Sequence, residues 1–175
     1  MKKRSMAELE RISAEQFKMA EKMPVVIVLD DVRSAYNVGS IFRTADAFRI
    51  EGIRICGISA RPPHKDISKT ALGATESVDW KYYSVVEEAV AGLRNAGFRI
   101  YAVEQADESV FLQDFTPARD EKIAIVFGHE VFGVKEEVLK MADGCIEIPQ
   151  FGTKHSFNVA ISAGIVLWDI SLKIR

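Results

Sequence analysis

The chain has 175 residues, of which 48% are hydrophobic and 27% are charged. That length suits one domain with a sizeable core, and the composition excludes global disorder. The net charge of −2 argues against a protein that binds polyanions over its whole surface, although residues 1–70 carry +4 and residues 71–175 carry −6. Either one basic face meets a nucleic acid, or the difference is ordinary scatter of surface charge.

The compartment is indicated by the cysteines and by the apolar segments. Cys56 and Cys145 are too few for a disulfide framework and form no CxxC pair, which favours a reducing environment. The basic residues 1–4 run into further charges, so the start does not resemble a signal peptide. The longest apolar stretch, residues 164–168, is too short to cross a bilayer. We therefore expect a cytoplasmic protein with no membrane contact.

The first part of the chain predicts a helix followed by a buried strand. Residues 6–22 place apolar side chains among charges at helical spacing, and Pro24 ends that helix. The β-branched run 25–29 then predicts a strand buried on both faces. Apolar residues on one face of 37–48 predict a helix, and 53–58 a second strand.

The rest of the chain continues to alternate between the two element types. Residues 66–77 are ambiguous between a loop and a short helix. Further helices are predicted over 85–95, 135–141 and 158–173, and further strands over 80–83, 98–103, 123–127 and 145–148. This alternation predicts an α/β fold with a mostly parallel sheet and helices on both faces. We expect a helical extension over 1–23 and a single domain over 24–175.

Three strand exits are rich in glycine and polar residues, namely 33–43, 128–133 and 149–158. Ligands of open α/β sheets bind beyond the carboxyl ends of the strands, so these exits are candidate site segments. No GxGxxG or GxxxxGK[ST] fingerprint occurs, which argues against a dinucleotide oxidoreductase or a P-loop NTPase. The three histidines are widely separated, and no GxSxG elbow is present, so we expect neither a metal site nor a covalent hydrolase.

The order of three short motifs resembles the SpoU family of RNA 2′-O-ribose methyltransferases, within the SPOUT superfamily. The motifs are Asn37-Val-Gly-Ser-Ile-Phe-Arg43, then G-x-E-x-x-G over 128–133, then I-P-x-x-G-x-x-x-S-x-N-V over 148–159. Residues 69–74 resemble a stretch found between the first two motifs. Each motif alone is weak, but their shared order and their positions at strand exits make the resemblance specific.

The resemblance implies S-adenosyl-L-methionine as methyl donor and a ribose 2′-hydroxyl of tRNA or rRNA as acceptor. It also implies a homodimer with active sites at the interface and a C-terminal trefoil knot, which connection rules alone would not predict. Two alternatives stay open: a non-catalytic RNA-binding or assembly module on the same fold, and a SPOUT enzyme that methylates a base. A small-molecule α/β enzyme has no fingerprint in its favour.

The catalytic group implied by the resemblance centres on Arg43, which matches the family's catalytic arginine. A general-base role has been proposed for that arginine. Because a guanidinium stays protonated at accessible pH, we expect Arg43 to hold a phosphate and to stabilise negative charge on the oxygen. Asn37, six residues earlier, is expected at the same mouth of the site, or as the N-cap of its helix.

The other expected catalytic residues each have a structural alternative. Glu130 is expected to orient Arg43 or an RNA group. Alternatively, it is a first-turn carboxylate that interacts favourably with a helix dipole. Ser156 and Asn158 either bond the substrate, the cofactor or the knot backbone, or cap the last helix. That helix combines small and large apolar residues. This combination fits a helix that packs in the core and also forms a dimer interface, or a helix that packs in the core alone.

The resemblance also implies cofactor and RNA contacts. We expect the cofactor to lie along Val103, Glu104, Gly128, Ile148, Pro149, Gln150, Ser156 and Phe157, because an adenine needs apolar walls with a few polar groups. We expect RNA phosphates to meet Arg33, Arg43, Arg61, His64 and Lys65, although basic loop residues are also commonly just solvated.

Overall fold

The computed structural model describes residues 1–5 and 11–174. It contains helices, strands and one 3-10 turn in alternating order along the chain. In chain order the elements are α1 (Ala14–Met19), β1 (Met23–Asp30), α2 (Ala35–Phe48), β2 (Ile50–Cys56), α3 (Lys65–Ala71), α4 (Ala74–Ser77), β3 (Trp80–Tyr83), α5 (Val86–Asn95), β4 (Arg99–Val103), β5 (Val110–Phe111), a 3-10 turn (Leu112–Asp114), β6 (Ile123–Phe127), α6 (Glu136–Met141), β7 (Gly144–Glu147) and α7 (Val159–Ile174).

The strands form one seven-stranded sheet in the order β3-β2-β1-β6-β4-β7-β5. Every pair of neighbouring strands in it is parallel. β1 sits near the middle, and its side chains alternate between two cores. Ile27 and Leu29 pack with α2 and α7, whereas Val26 and Val28 pack with α5 and α6. The predicted α/β class, parallel sheet and helices on both faces are therefore confirmed.

Helix α2 begins at the cap residue Ser34, whose hydroxyl accepts the backbone N–H of Asn37 at 3.3 Å. The expectation that the helix starts at Asn37 is corrected, because Asn37 lies inside the first turn. Further along, a Cβ on Gly39 would come within 2.1 Å of Thr70 Oγ1 and 2.4 Å of the Ile67 carbonyl oxygen. Gly39 thus lets α3 approach α2 closely.

Other boundaries also differ from the predicted ones. In the predicted helix over 6–22, residues 6–10 lie outside the described part, and α1 starts only after the capping box at Ser13. The predicted strand over 53–58 begins at Ile50 and ends at Cys56, because Gly57 turns the chain with a positive φ of 61°. The ambiguous segment 66–77 falls within two short helices, which Leu72 and Gly73 separate in left-handed conformations.

All strands point the same way, so their carboxyl ends share one edge of the sheet. The loops that follow β1, β4, β6 and β7 meet at that edge, and they contain the three motif segments. Within the described residues, no helix is long and apolar enough to span a bilayer. The fold therefore brings together segments that are far apart in the sequence.

Candidate active site

Three polar side chains from the three motifs are hydrogen-bonded in a row. Asn37 donates its Nδ2 to Glu130 Oε1 at 3.1 Å, and the two residues are 93 positions apart. Asn158 donates its Nδ2 to Asn37 Oδ1 at 3.1 Å, across 121 positions. The fold therefore joins these three residues, which were expected to act together, in one network.

Glu130 is held by the amino end of α2. Its carboxylate accepts the backbone N–H groups of Arg33 and Ser34, each at 3.0 Å, besides the amide of Asn37. Burial raises the pKa of Glu130, but these hydrogen bonds outweigh it and hold the pKa below the ordinary value. Glu130 forms no hydrogen bond with Arg43. Its carboxylate instead accepts N–H groups at the amino end of α2 and the side-chain amide of Asn37, so it interacts with a helix terminus and with Asn37 at the same time.

Asn158 likewise serves two purposes. Its Oδ1 accepts the backbone N–H of Ala160 at 2.9 Å, which caps the start of α7, while its Nδ2 reaches Asn37. Ser156 is exposed and lines the neighbouring cavity. Of the two candidate caps for the last helix, the structure selects Asn158.

A cavity of about 450 Å³ opens beside this network, a volume within the usual range for small-molecule sites. Its walls come from the loops after β4, β6 and β7 and from the start of α7. Seven of the eight expected cofactor residues line it: Val103, Glu104, Gly128, Ile148, Gln150, Ser156 and Phe157. Pro149 is half-buried and is not among the described lining residues.

Two glycines fix the wall of the cavity that follows β6. A Cβ on Gly128 would lie 2.1 Å from the Gly133 carbonyl oxygen, and one on Gly133 would lie 2.1 Å from Glu104 Oε2. Glu104 Oε2 also accepts the Val134 N–H at 3.0 Å, and its Oε1 accepts the Gln105 N–H at 2.9 Å. Glu104 therefore ties the β4 and β6 loops together, and the glycines are needed for that packing.

Several cavity residues were not anticipated from the sequence. Gln105 donates its Nε2 to the His155 carbonyl oxygen at 2.9 Å and so joins two walls. His129, Phe132 and Ser162 also line the cavity. His129 and Phe132 occupy unspecified positions within the G-x-E-x-x-G motif, so their proximity to motif residues was the signal that the sequence offered.

Arg43 stands apart from this cavity. Arg43 lies six positions after Asn37, which puts it about 9 Å further along α2 and about 120° around the helix axis. It is exposed and is not among the described residues that line the cavity. Asn37 is likewise not among the described residues that line the cavity, so the expected shared mouth for Asn37 and Arg43 stays a prediction.

Of the expected RNA-contacting residues, Arg33, Arg61, His64 and Lys65 follow β1 and β2 at the carboxyl edge of the sheet, whereas Arg43 lies on α2. Arg33 is exposed beside Glu130, which accepts its backbone N–H. Arg61 stacks its guanidinium 3.8 Å from the Tyr82 ring centroid. His64 caps α3 through Nδ1, which accepts the Asp66 N–H at 3.2 Å, and the exposed Lys65 follows it. These side chains face solvent at the edge where the network lies.

A second cavity, of about 340 Å³, adjoins the first and is strongly acidic. Lys135 Nζ lies 2.9 Å from Asp30 Oδ1 and 2.7 Å from Asp31 Oδ2. Burial raises the pKa of Asp30 although Lys135 opposes it, and the two carboxylates raise the pKa of Lys135 against partial burial. Within residues 1–5 and 11–174, no group of three or more His, Cys, Asp or Glu side chains could hold a metal ion.

The chain is similar to proteins that modify RNA. It is 29% identical to the tRNA (guanosine(18)-2′-O)-methyltransferase of Thermus thermophilus, over 97% of this chain and 84% of that protein. It is 29% identical to the 23S rRNA (guanosine-2′-O-)-methyltransferase of Neisseria meningitidis, over 82% of this chain and 56% of that protein. The match to the Neisseria protein thus spans little more than half of that protein's length.

A solved structure has the same fold. The AdoMet-bound rRNA methyltransferase from Sinorhizobium meliloti aligns with a TM-score of 0.77 and 28% identity, over 87% of this chain and 58% of that one. Residues 24–168, which include all three motifs, match the SpoU rRNA Methylase family. The chain belongs to that family.

Proposed function

We propose that this protein transfers a methyl group from S-adenosyl-L-methionine to a ribose 2′-hydroxyl of tRNA or rRNA. The observation that carries the proposal is the network of Asn37, Glu130 and Asn158, which joins all three family motifs beside one cavity. The similar proteins are named as a tRNA 2′-O-methyltransferase in Thermus and a 23S rRNA 2′-O-methyltransferase in Neisseria. Both RNA classes are therefore candidates.

The cavity fits the cofactor in size and in chemistry. Val103, Ile148 and Phe157 supply apolar walls, while the backbone around Gly128 and the side chains of Gln150 and Ser156 supply polar groups. We assign these residues, with Pro149 and Glu104, to cofactor binding. When bound, S-adenosyl-L-methionine supplies an electrophilic methyl group on a positively charged sulfur.

The network residues position the acceptor and do not take its proton, which would pass to solvent water as the methyl group moves from the cofactor's sulfur to the 2′-oxygen. Because the Glu130 carboxylate accepts three hydrogen bonds and its pKa is lowered, it is a poor proton acceptor. Glu130 and Asn158 hold the Asn37 amide in place, and Asn37 and Ser156 are available to orient the ribose. Alignment of this kind supplies a large part of the rate enhancement in a displacement reaction.

Arg43 is the residue that we assign to the reacting oxygen. A guanidinium is protonated at any accessible pH, so its role is to hold the neighbouring phosphate and to stabilise negative charge as it develops. Arg43 lies on the outward stripe of α2, together with Tyr36, Ser40 and Ala47 at i, i+4, i+7 and i+11 spacing. It is therefore presented to a second molecule and not to its own cavity.

We infer that the second molecule includes a second copy of this chain. Helix α7 exposes Ile161, Trp168 and Leu172 along one stripe, and Trp168 packs edge-on against Phe48 of α2 at 6.5 Å. An apolar stripe of this length is typical of a surface that becomes buried. A homodimer through α7 and α2 would bring Arg43 of one protomer toward a site at the interface.

We propose three further properties of this chain, which its resemblance to the family implies. They are a trefoil knot near the carboxyl end, residues 24–175 as the methyltransferase domain, and the cytoplasm as the location of its RNA substrate. The parallel insertion of β6 between β1 and β4 supports the domain assignment, because it ties both halves of this region into one sheet.

The direct test is methyl transfer from labelled S-adenosyl-L-methionine to unfractionated tRNA and to rRNA, followed by nucleoside analysis. We expect a 2′-O-methylated nucleoside from the wild type and loss of turnover from Arg43→Ala, with cofactor affinity retained. Arg119→Ala, an exposed arginine before β6 at the opposite edge of the sheet, is the matched control.

The other outcomes discriminate between the alternatives. A methylated ring nitrogen in the product would identify a base methylase. Cofactor binding without transfer to any cellular RNA would reject the enzyme in favour of a binding module. Full activity of Arg43→Ala would leave the reaction standing but would remove Arg43 from it.

A further inference from the structure

The loop after β6 forms a short closed hairpin. His129 and Gly133 exchange two backbone hydrogen bonds, of 3.0 and 2.8 Å, which form an isolated antiparallel bridge. His129 Nδ1 accepts the backbone N–H of Val131 at 2.9 Å and that of Phe132 at 3.3 Å. These hydrogen bonds within the hairpin hold its tip, so the side chains at the tip have defined positions.

The hairpin turns its tip residues in different directions. Glu130 points to α2, where it accepts the bonds described above. Phe132 is 82% exposed, although its ring lies 4.8 Å from the His129 ring and borders the cavity. Burying a phenylalanine side chain is favourable, and that free energy is not gained here. An ordered, exposed ring at the mouth of a site is suited to a ligand.

The charges around Phe132 restrict what that ligand can be. Phe132 also borders the second cavity, which stays acidic because its four carboxylates, from Asp30, Asp31, Glu136 and Glu137, outnumber the one lysine that lines it, Lys135. A phosphate would be repelled on that side, whereas Arg33 is exposed next to Glu130 on the other. A flat, uncharged ring system could lie over Phe132 while the phosphates attached to it point toward Arg33. Such a ligand is compatible with the charges on both sides of Phe132.

We propose that Phe132 stacks on the nucleobase adjoining the methylated ribose, so that the substrate nucleotide is unpaired or turned out of its helix. A base that stacks on this ring cannot stack on its helical neighbour on the same face. The inference rests on the proposed function, because it needs an RNA at this cavity. A protein partner is a weaker fit, since only Val131 and Phe132 are exposed apolar side chains on the tip.

The test compares Phe132→Ala, Phe132→Trp and Val131→Ala, where Val131 is 74% exposed on the same tip and serves as the matched control. Stacking is worth about 1–3 kcal/mol per base, so we expect kcat/KM for unfractionated tRNA or rRNA to fall roughly 5- to 150-fold in Phe132→Ala. We expect Phe132→Trp to retain activity and Val131→Ala to stay within about twofold of the wild type, since neither substitution removes a stacking ring. Cofactor affinity, measured by calorimetry, should be unchanged in all three.

Each other result overturns the inference. Unchanged kcat/KM in Phe132→Ala, while the wild type methylates RNA, rejects stacking alone and leaves the proposed function intact. A matching loss of cofactor affinity would assign the ring to the cofactor, and dissociation to monomers would assign it to the copy interface. If Phe132→Trp lost activity, the size and shape of the phenylalanine side chain, and not its ability to stack, would account for its role. A wild type that methylates no RNA would reject the proposed function itself, and Phe132 with it.

Discussion

At the scale of single residues, the Glu130 carboxylate joins the β6 loop to the amino end of α2. Two backbone N–H groups and one side-chain amide converge on it. Bonds from N–H groups to a carboxylate are stronger than bonds between neutral groups, and they also fix the direction of the Asn37 amide. The same residue therefore contributes to stability and to the order of the site.

We expect Glu130→Gln to lower the free energy of unfolding by about 2 kcal/mol at pH 7, because the bonds lose a charged acceptor. The folded pKa of Glu130 is lowered from the ordinary 4.5. Its stabilisation is therefore complete above 4.5 and is lost as the pH falls through the folded pKa. Urea unfolding at pH 7 and in acid measures this, with Glu108→Gln, an exposed carboxylate, as control. An equal deficit at both pH values would contradict a role for the charge.

The sequence predicted which residues meet at the site better than how they meet. Asn37, Glu130 and Asn158 followed from the motifs, and they are joined. Ser34 and Asn37 are both good cap residues, and the sequence alone does not show that Ser34 caps the helix while the Asn37 side chain bonds Glu130 and Asn158. The six-residue spacing between Asn37 and Arg43 already places the two residues about 120° apart around α2, so their separation could be predicted once this segment was assigned as a helix.

At the scale of secondary-structure elements, two helical glycines make a matched pair. Gly39 of α2 touches α3, whereas a Cβ on Gly92 of α5 would meet nothing within 4 Å. Both lie inside helices, so the intrinsic preference for alanine is the same and only the surroundings differ.

We expect Gly39→Ala to destabilise the protein by about 1–3 kcal/mol, because the methyl group would force α2 and α3 apart. Gly92→Ala should stabilise it by about 0.5–1 kcal/mol, because alanine favours the helix. Thermal or urea unfolding of both variants measures the difference. Equal shifts of the same sign would mean that the α2–α3 contact is not tight.

The stripe on α7 makes a separate prediction. Leu172→Glu places a charge on the proposed copy interface, so we expect the dimer to dissociate at micromolar concentration, because burying an unpaired charge is costly. Val85→Glu, at the start of α5 on the other face of the sheet, is the control. Sedimentation velocity reports the mass of each variant. A Leu172→Glu protein that behaves like the control would reject this interface.

The elements that could be predicted are those with strong periodicity. β1, β3 and β6 were found because β-branched and aromatic runs lie between clear breaks. β5 has only Val110 and Phe111, both exposed, and pairs at the sheet edge, so no pattern indicates it. The split between α3 and α4 depends on Leu72, a non-glycine residue in the left-handed region, which is uncommon.

At the scale of the whole molecule, a single edge of the sheet carries the network, both cavities and the basic loops. The net charge is −2, so any attraction for RNA must come from local groups and not from the molecule as a whole. Lys65 and Arg61 lie at that edge, whereas Lys122 precedes β6 at the opposite one.

We expect RNA affinity to fall with salt, and Lys65→Ala to reduce the slope of log affinity against log salt by roughly 0.7–0.9, the value for one phosphate contact. Lys122→Ala should leave the slope unchanged. Fluorescence anisotropy with labelled tRNA between low and moderate salt measures both. A change in affinity without a change in slope would argue that Lys65 contacts something other than a phosphate.

The long separations within the network have a consequence for synthesis. As the ribosome releases the chain from its amino end, Asn37 emerges 121 residues before Asn158, its hydrogen-bond partner. Strand β6 must also insert between two strands that have already left the tunnel. A nascent chain shorter than about 160 residues thus lacks the start of α7 and cannot complete its network. We therefore expect the first cavity, whose walls include residues within 155–162, to form only after that segment has been synthesised.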